Sequence, residues 1–124
     1  MYIRIYAYTR VYTYIRKIRE HWEQQMEVIK IEESKIEKKL KKEIEKIGGK
    51  ALKLVSPGMS GMPDRIVLLP DEKIFFIELK APGKKLRALQ EYRAKELRTL
   101  GFKVRVIDSI EGIDLFVREV QNAI

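Results

Sequence analysis

There is no cysteine in the chain. That excludes a disulfide framework and thiolate metal sites, and it fits a reducing cytoplasm, where the protein is expected to work. No apolar run approaches the roughly 18–20 residues of a membrane span, so no transmembrane helix and no membrane partner are expected. There is a single histidine, His21, without ligand partners around it, and no role falls to it. Internal repeats are missing as well.

What is present describes one soluble globular domain. A chain of 124 residues can bury roughly two-thirds of its unfolded surface. Hydrophobic and charged contents of 45% and 35% are those of a folded rather than a disordered protein. The net charge of +8 points to a polyanionic partner, nucleic acid foremost, because charge reports on association rather than on fold.

From Ile31 onward the pattern is helical. Ile36, Leu40, Ile44 and Ile47 recur at three- and four-residue spacing, with Lys and Glu on the other faces, and Gly48-Gly49 ends the run. Ala51–Val55 is a short strand candidate, and Ser56–Gly61 is a loop rich in glycine and proline. Arg65–Leu69 and Ile74–Leu79 read as a hairpin around Pro70–Lys73. A helix from about Leu86 to Leu100 stops at Gly101, Lys103–Ile107 is another strand, and Asp108 or Ser109 caps a last helix. That helix carries Ile113, Phe116, Val117, Val120 and Ile124 as one apolar stripe. The order α-β-β-β-α-β-α predicts an α/β fold, a mixed sheet flanked by helices.

The residues before Ile31 differ. Met1–Arg19 alternates aromatic or β-branched residues with Arg and Thr and lacks a turn signal, so it reads as a strand, a basic arm or a tail. Its arginines interrupt any apolar core of a signal peptide, and no small-residue cleavage site follows. A translation start at Met26 is another reading. Trp22 is encoded only by TGG and the next glutamate codon begins GA, which places a purine-rich tract where a bacterial ribosome-binding site would lie.

The chemistry lies in residues 61–80. Asp64 opens one apolar strand, and Glu78 and Lys80 close the next. Charge at the end of a buried segment costs several kcal/mol unless it is paired or binds a metal. Two carboxylates beside a lysine suit a hard divalent cation that activates water against a phosphodiester. Alternation puts Glu78 and Lys80 on one strand face. An isolated Glu-x-Lys is more often a strand-end salt bridge, and Asp64 on the partner strand is what shifts the balance. For Asp64 to reach the Glu78 face, the hairpin needs a loop of odd length or a bulge.

Three further groups join this reading. At about 100° per residue, Glu33 lies roughly 25° from the centre of the first helix's apolar stripe and Glu37 roughly 60°, which puts Glu33 on the buried face and Glu37 at its edge. Gln90 occupies the stripe of Leu86, Leu97 and Leu100, either as a satisfied amide near the helix start or as a group that orients Lys80, a metal-bound water or a phosphate. Lys84, Lys85, Arg87 and Arg93 follow the acidic strand, and with Lys53, Arg65 and Ser60 they are candidate phosphate contacts.

Glu33-Ser34-Lys35-Ile36-Glu37, Gly48-Gly49, Gly61-Met62-Pro63-Asp64-Arg65, Ile77-Glu78-Leu79-Lys80, Gln90 and Gly101, in that order, resemble the VRR-NUC family, a branch of the PD-(D/E)xK nuclease superfamily with stand-alone members in phages and bacteria. The resemblance covers about residues 32–120. It divides the chain into an N-terminal extension, 1–30, and a VRR-NUC-like nuclease domain, 31–124, with a restriction-endonuclease-like core. It implies a metal-dependent endonuclease in which Asp64, Glu78 and the main-chain carbonyl of Leu79 bind Mg²⁺, or Mn²⁺ in its place. Glu33 would complete the acidic cluster and Gln90 would support it. Lys80 would position or deprotonate the attacking water. Lysine serves as a base only where burial or nearby positive charge favours its neutral form, so a positioning and electrostatic role suits it better between carboxylates. The resemblance further implies a homodimer acting on branched DNA such as Holliday junctions, with no small-molecule cofactor. The competing readings are a nuclease-fold module that only binds DNA and a nuclease of linear duplex.

Overall fold

The computed structural model describes residues 2–123. Its elements are α1 (Tyr2–Lys46), β1 (Lys50–Lys53), β2 (Arg65–Leu69), β3 (Lys73–Leu79), α2 (Ala88–Thr99), β4 (Lys103–Ile107) and α3 (Ile110–Ala123). The chain forms two compact units, one ending at Ile31 and one beginning at Glu32.

In the second unit the strands make one sheet in the order β1-β2-β3-β4. The first three are antiparallel, and β3 pairs parallel with β4. A parallel pair needs a crossover, and α2 supplies it. The sheet is therefore mixed and flanked by helices, as the element order predicts. One face of the sheet carries Val67, Leu69, Phe75, Ile77 and Ile107, which pack against Ile36, Leu40 and Ile44 of α1 and Ile113, Phe116 and Val120 of α3. Phe75 meets Phe116 edge-to-face at 5.1 Å between centroids. The opposite face carries Phe76 and Val104, which pack with Ala94 and Leu97 of α2. Strand alternation separates these two cores residue by residue.

The helix ends follow local chemistry. Ser109 is the N-cap of α3, its hydroxyl accepting the Gly112 N–H at 2.9 Å. The helix α2 is shorter than expected. Leu100 lies past its end and is 73% exposed, because Gly101 takes a left-handed φ of 95° and turns the chain toward β4. Ala94 and Leu97 carry the buried face instead. Ile124, expected at the end of the α3 stripe, lies outside the described residues, as does Met1.

The first unit is helical throughout its described residues, which corrects the reading of Met1–Arg19 as a strand, arm or tail. Residues 2–14 alternate on a short scale, but two long-range patterns override that alternation. The hydroxyls of Thr9 and Thr13 donate to the Ile5 and Thr9 carbonyls, one turn back. Arg16–Glu20 and Arg19–Glu23 are spaced i, i+4, with 3.8 Å between charges.

The turn after α1 depends on glycine. A Cβ on Gly49 would stand 2.6 Å from the Leu68 carbonyl oxygen and 2.9 Å from side-chain carbons of Ile44 and Leu69. Gly49→Ala should therefore lower stability by about 1–3 kcal/mol, the usual cost of overpacking. Urea unfolding of the purified variant checks this, and an unchanged midpoint would show that the turn can open.

Candidate active site

The hairpin sets the geometry. β2 and β3 pair Arg65 with Ile77 and Leu69 with Lys73, so the loop is the three residues Pro70-Asp71-Glu72. That odd length meets the parity condition, and Asp64 stands opposite Glu78 one step beyond the last paired residues. The two acids are held by each other's backbone. The Asp64 N–H donates to Glu78 Oε2 at 3.2 Å, and the Leu79 N–H donates to Asp64 Oδ1 at 3.0 Å. Glu78 is buried, the only charged residue in the described core.

Two neighbours complete the hold on Glu78. Lys80 Nζ stands 3.8 Å from Glu78 Oε1, with both side chains largely covered. Gln90, one turn into α2, donates from Nε2 to Glu78 Oε1 at 3.1 Å, and its Oε1 accepts the Arg87 N–H at 3.0 Å. The amide thus caps the helix and grips the acid at once, so both readings of this residue describe its bonds. Asp64, Glu78 and Gln90 line a cavity of about 350 Å³ with Ser60, Gly61, Met62, Arg87 and Leu89. Gly61 adopts φ 83°, and a Cβ there would stand 2.7 Å from Leu89 Cγ, so glycine lets the loop close against α2. Larger space beside α2, about 520 Å³ along Leu86, Tyr92 and Arg98, contains neither paired acid.

Burial pushes the Asp64 carboxyl above its ordinary pKa, against the pull of the Leu79 N–H and Arg65. Burial also raises Glu78, and the Asp64 charge adds to it, while Lys80, the Asp64 N–H and Arg87 oppose. Two close carboxylates that both resist ionisation are the donor set a hard cation relieves, because Mg²⁺ takes oxygen ligands and commonly needs only one or two carboxylates beside water and phosphate. The residues fit such an ion.

The expected contribution of Glu33 meets a different geometry. Glu33 is exposed, and among the described residues no third His, Cys, Asp or Glu joins the pair in a group that could hold a metal. Helical angle alone put Glu33 toward the core. The first buried residue of the stripe is Ile36, however, so Glu33 sits a turn before α1 packs on the sheet. Glu37 is the α1 carboxylate that acts on Asp64, and it pairs with Arg65 at 2.7 Å.

Of the candidate phosphate contacts, two are committed within the protein. Arg65 is largely buried in its pair with Glu37, and its Nε has no partner. Arg93 bonds the Ser60 carbonyl at 3.0 Å and Glu96 at 2.6 Å, pinning the glycine loop to α2. Lys53, Lys84, Lys85 and Arg87 remain exposed. The Leu79 and Arg93 bonds were not foreseen, since neither has a signature until the register and the loop path are known.

With this geometry in place, the chain can be set beside known proteins. The sequence profile of the VRR-NUC domain matches residues 9–111, and so begins before residue 32, where the motif resemblance starts. "Putative nuclease p44" of Acyrthosiphon pisum secondary endosymbiont phage 1 is 52% identical over 79 residues, which are 64% of this chain and 85% of that protein. A solved structure of a VRR_NUC domain superposes with a TM-score of 0.67 at 32% identity, covering 70% of this chain and 95% of its own.

The raised pKa values have a definite sign. Between the ordinary carboxylate range and the raised values the folded state binds more protons than the unfolded one, so stability without metal falls as pH rises through that window. Asp64→Asn and Glu78→Gln should therefore melt higher than the parent at pH 7 in EDTA, and the gap should close near about pH 4, where the parent acids are protonated too. Thermal melts across that range check this, and a variant that melts lower at neutral pH would overturn it.

Proposed function

The chain belongs to the VRR-NUC domain family, and from that premise we propose that it is a metal-dependent endonuclease that hydrolyses DNA phosphodiester bonds, with a PD-(D/E)xK core in residues 31–124 behind an extension of residues 1–30. The observation that carries this reading is the buried Asp64–Glu78 pair, placed face to face by the hairpin register and exchanging backbone N–H bonds. A protein that only bound DNA would gain nothing from two acids facing its phosphates. No helix among the described residues is long and apolar enough to cross a membrane.

Asp64 and Glu78 would hold Mg²⁺ or Mn²⁺, with the Leu79 carbonyl as the third oxygen that the family pattern supplies. Bound there, the cation polarises a phosphoryl oxygen and makes its water a better nucleophile. Lys80, beside Glu78, positions water and offsets the negative charge that grows on the phosphate. Gln90 fixes the Glu78 carboxylate from the start of α2, and Arg87 at the rim offers a cation to the strand. Glu37, rather than Glu33, is the α1 acid that acts on this centre, at one remove through Arg65. Lys53, Lys84 and Lys85 are free to meet phosphates.

Each chain holds one acidic pair, and branched DNA such as a four-way junction is resolved by two cuts. A homodimer with closed two-fold symmetry, the commonest assembly, gives a junction-selective enzyme its two sites.

Asp64→Asn and Glu78→Gln should abolish cleavage of junction, flap and linear substrates while keeping DNA affinity equal or higher. EDTA should do the same to the parent. Lys80→Ala should lose cleavage but still bind Mg²⁺ by calorimetry. Gln90→Ala should lose about 10–100-fold, the scale set for groups that orient metal ligands. Metal-independent cutting, or full activity in either acid variant, would refute the site. Equal cutting of linear duplex and junction would remove the branch selectivity and leave the nuclease.

A further inference from the structure

The helix of the first unit bears an apolar stripe that nothing in that unit covers. Val11, Ile15, Ile18, Trp22, Met26 and Ile29 follow spacings of four, three, four, four and three residues, which average to the 3.6-residue turn of a helix. From Val11 to Met26 they are 41–61% exposed. The stripe runs for about 27 Å at 1.5 Å per residue. Polar residues fill the opposite side, among them Arg10, Lys17, Glu20 and Glu27. A contiguous apolar strip with a polar rim marks an interaction surface rather than ordinary scattered exposure.

Charge along the helix identifies the occupant. Residues 10–19 carry Arg10, Arg16, Lys17 and Arg19 and no acid, while residues 20–30 carry Glu20, Glu23 and Glu27 against Lys30. A second copy laid parallel would set like charge against like. Laid antiparallel, it sets the basic half of each helix against the acidic half of the other. The stripe is also nearly symmetric about residue 20, so Val11 meets Ile29 and Ile18 meets Trp22 of the second copy. The Arg16–Glu20 and Arg19–Glu23 pairs within one helix are exposed at 3.8 Å, weak enough to give way to pairs across an interface. An anionic surface such as DNA or lipid would suit the basic half and be repelled by the acidic half.

We propose that residues 11–29 are the self-association surface of this protein, pairing antiparallel with the same helix of a second copy. The arrangement is isologous, each helix giving and receiving the same contacts, as closed two-fold symmetry requires. The inference rests on the homodimer reading above and names its interface.

The full-length chain tests it by light scattering and sedimentation at micromolar concentration. Ile18→Glu with Trp22→Glu should raise the dimer dissociation constant by roughly 30-fold or more, the scale of losing an interface hot spot. Metal-dependent cleavage of linear duplex per chain should be unchanged, which shows that the variant is folded. Arg16→Glu/Lys17→Glu/Arg19→Glu and Glu20→Lys/Glu23→Lys/Glu27→Lys chains should each be monomeric alone and dimerise when mixed. Because the native chain has no cysteine, orientation can be read by oxidation. Val11→Cys and Ile29→Cys chains should crosslink to each other, and Val11→Cys should not crosslink to itself. A dimer that survives the Ile18/Trp22 change overturns this surface and spares the homodimer. Self-crosslinking of Val11→Cys overturns the antiparallel pairing. A monomeric parent, with or without DNA or vesicle binding by the helix, overturns both the surface and the homodimer, and leaves metal-dependent cleavage to be judged by its own assay.

Discussion

The site depends on the parity of one hairpin loop. Three residues between Leu69 and Lys73 put Asp64 and Glu78 on one side of the sheet, whereas two or four would send Asp64 to the face occupied by α1 and α3. The loop is not relaxed. Asp71 and Glu72 both sit at φ 63°, a conformation that costs of order 1–3 kcal/mol for a residue with a side chain and persists where its surroundings over-determine it. Five paired residues on each strand and two buried sheet faces supply that determination. The same register brings the Leu79 N–H to Asp64 and the Asp64 N–H to Glu78, so backbone dipoles hold the carboxylates where burial alone would expel them.

Around this pair the cations are divided by task. Arg65 and Arg93 look like phosphate contacts by position in the chain, but they work inward, one tying β2 to α1 through Glu37 and the other tying the glycine loop to α2. Lys80 and Arg87 act on the acids electrostatically, and Lys53, Lys84 and Lys85 stay in solvent. Net charge alone could not make this division, because it depends on which side chains the fold brings within reach of an acceptor.

Periodicity made most of the fold legible. Ile36, Leu40 and Ile44, the β2 and β3 runs and the α3 stripe are all local patterns whose period matches their structure, and the helices and strands lie where those patterns put them. The errors share one origin. Glu33 has the right angle on α1 but the wrong axial position, since angle says which way a residue faces and not whether the sheet extends that far. Leu100 has the right spacing but follows the last turn of α2. In the first unit a short alternation concealed a 3.6-residue stripe that appears only over five turns. Asp64, Glu78 and Lys80 were legible because charge at the end of an apolar strand is costly wherever it occurs. Glu37 was harder to read, because its role runs through Arg65, a residue 28 positions away.

Gln90 shows how far the chemistry of the first tier constrains the second. The Arg87 N–H can only donate, so it must meet the amide oxygen, and that turns the NH₂ group toward the only nearby acceptor, the Glu78 carboxylate. The orientation of the amide is therefore forced rather than chosen. Glutamate could still cap the helix, but it would aim a third negative charge at a carboxylate already raised by burial and by Asp64. A shorter asparagine could not span both partners, and an apolar residue would leave the Arg87 N–H and one Glu78 oxygen without this bond. Among the ordinary side chains, glutamine alone offers an acceptor to the helix and a neutral donor to the acid at that reach. An amide on an otherwise apolar stripe is thus the local mark of a helix that begins against a buried carboxylate.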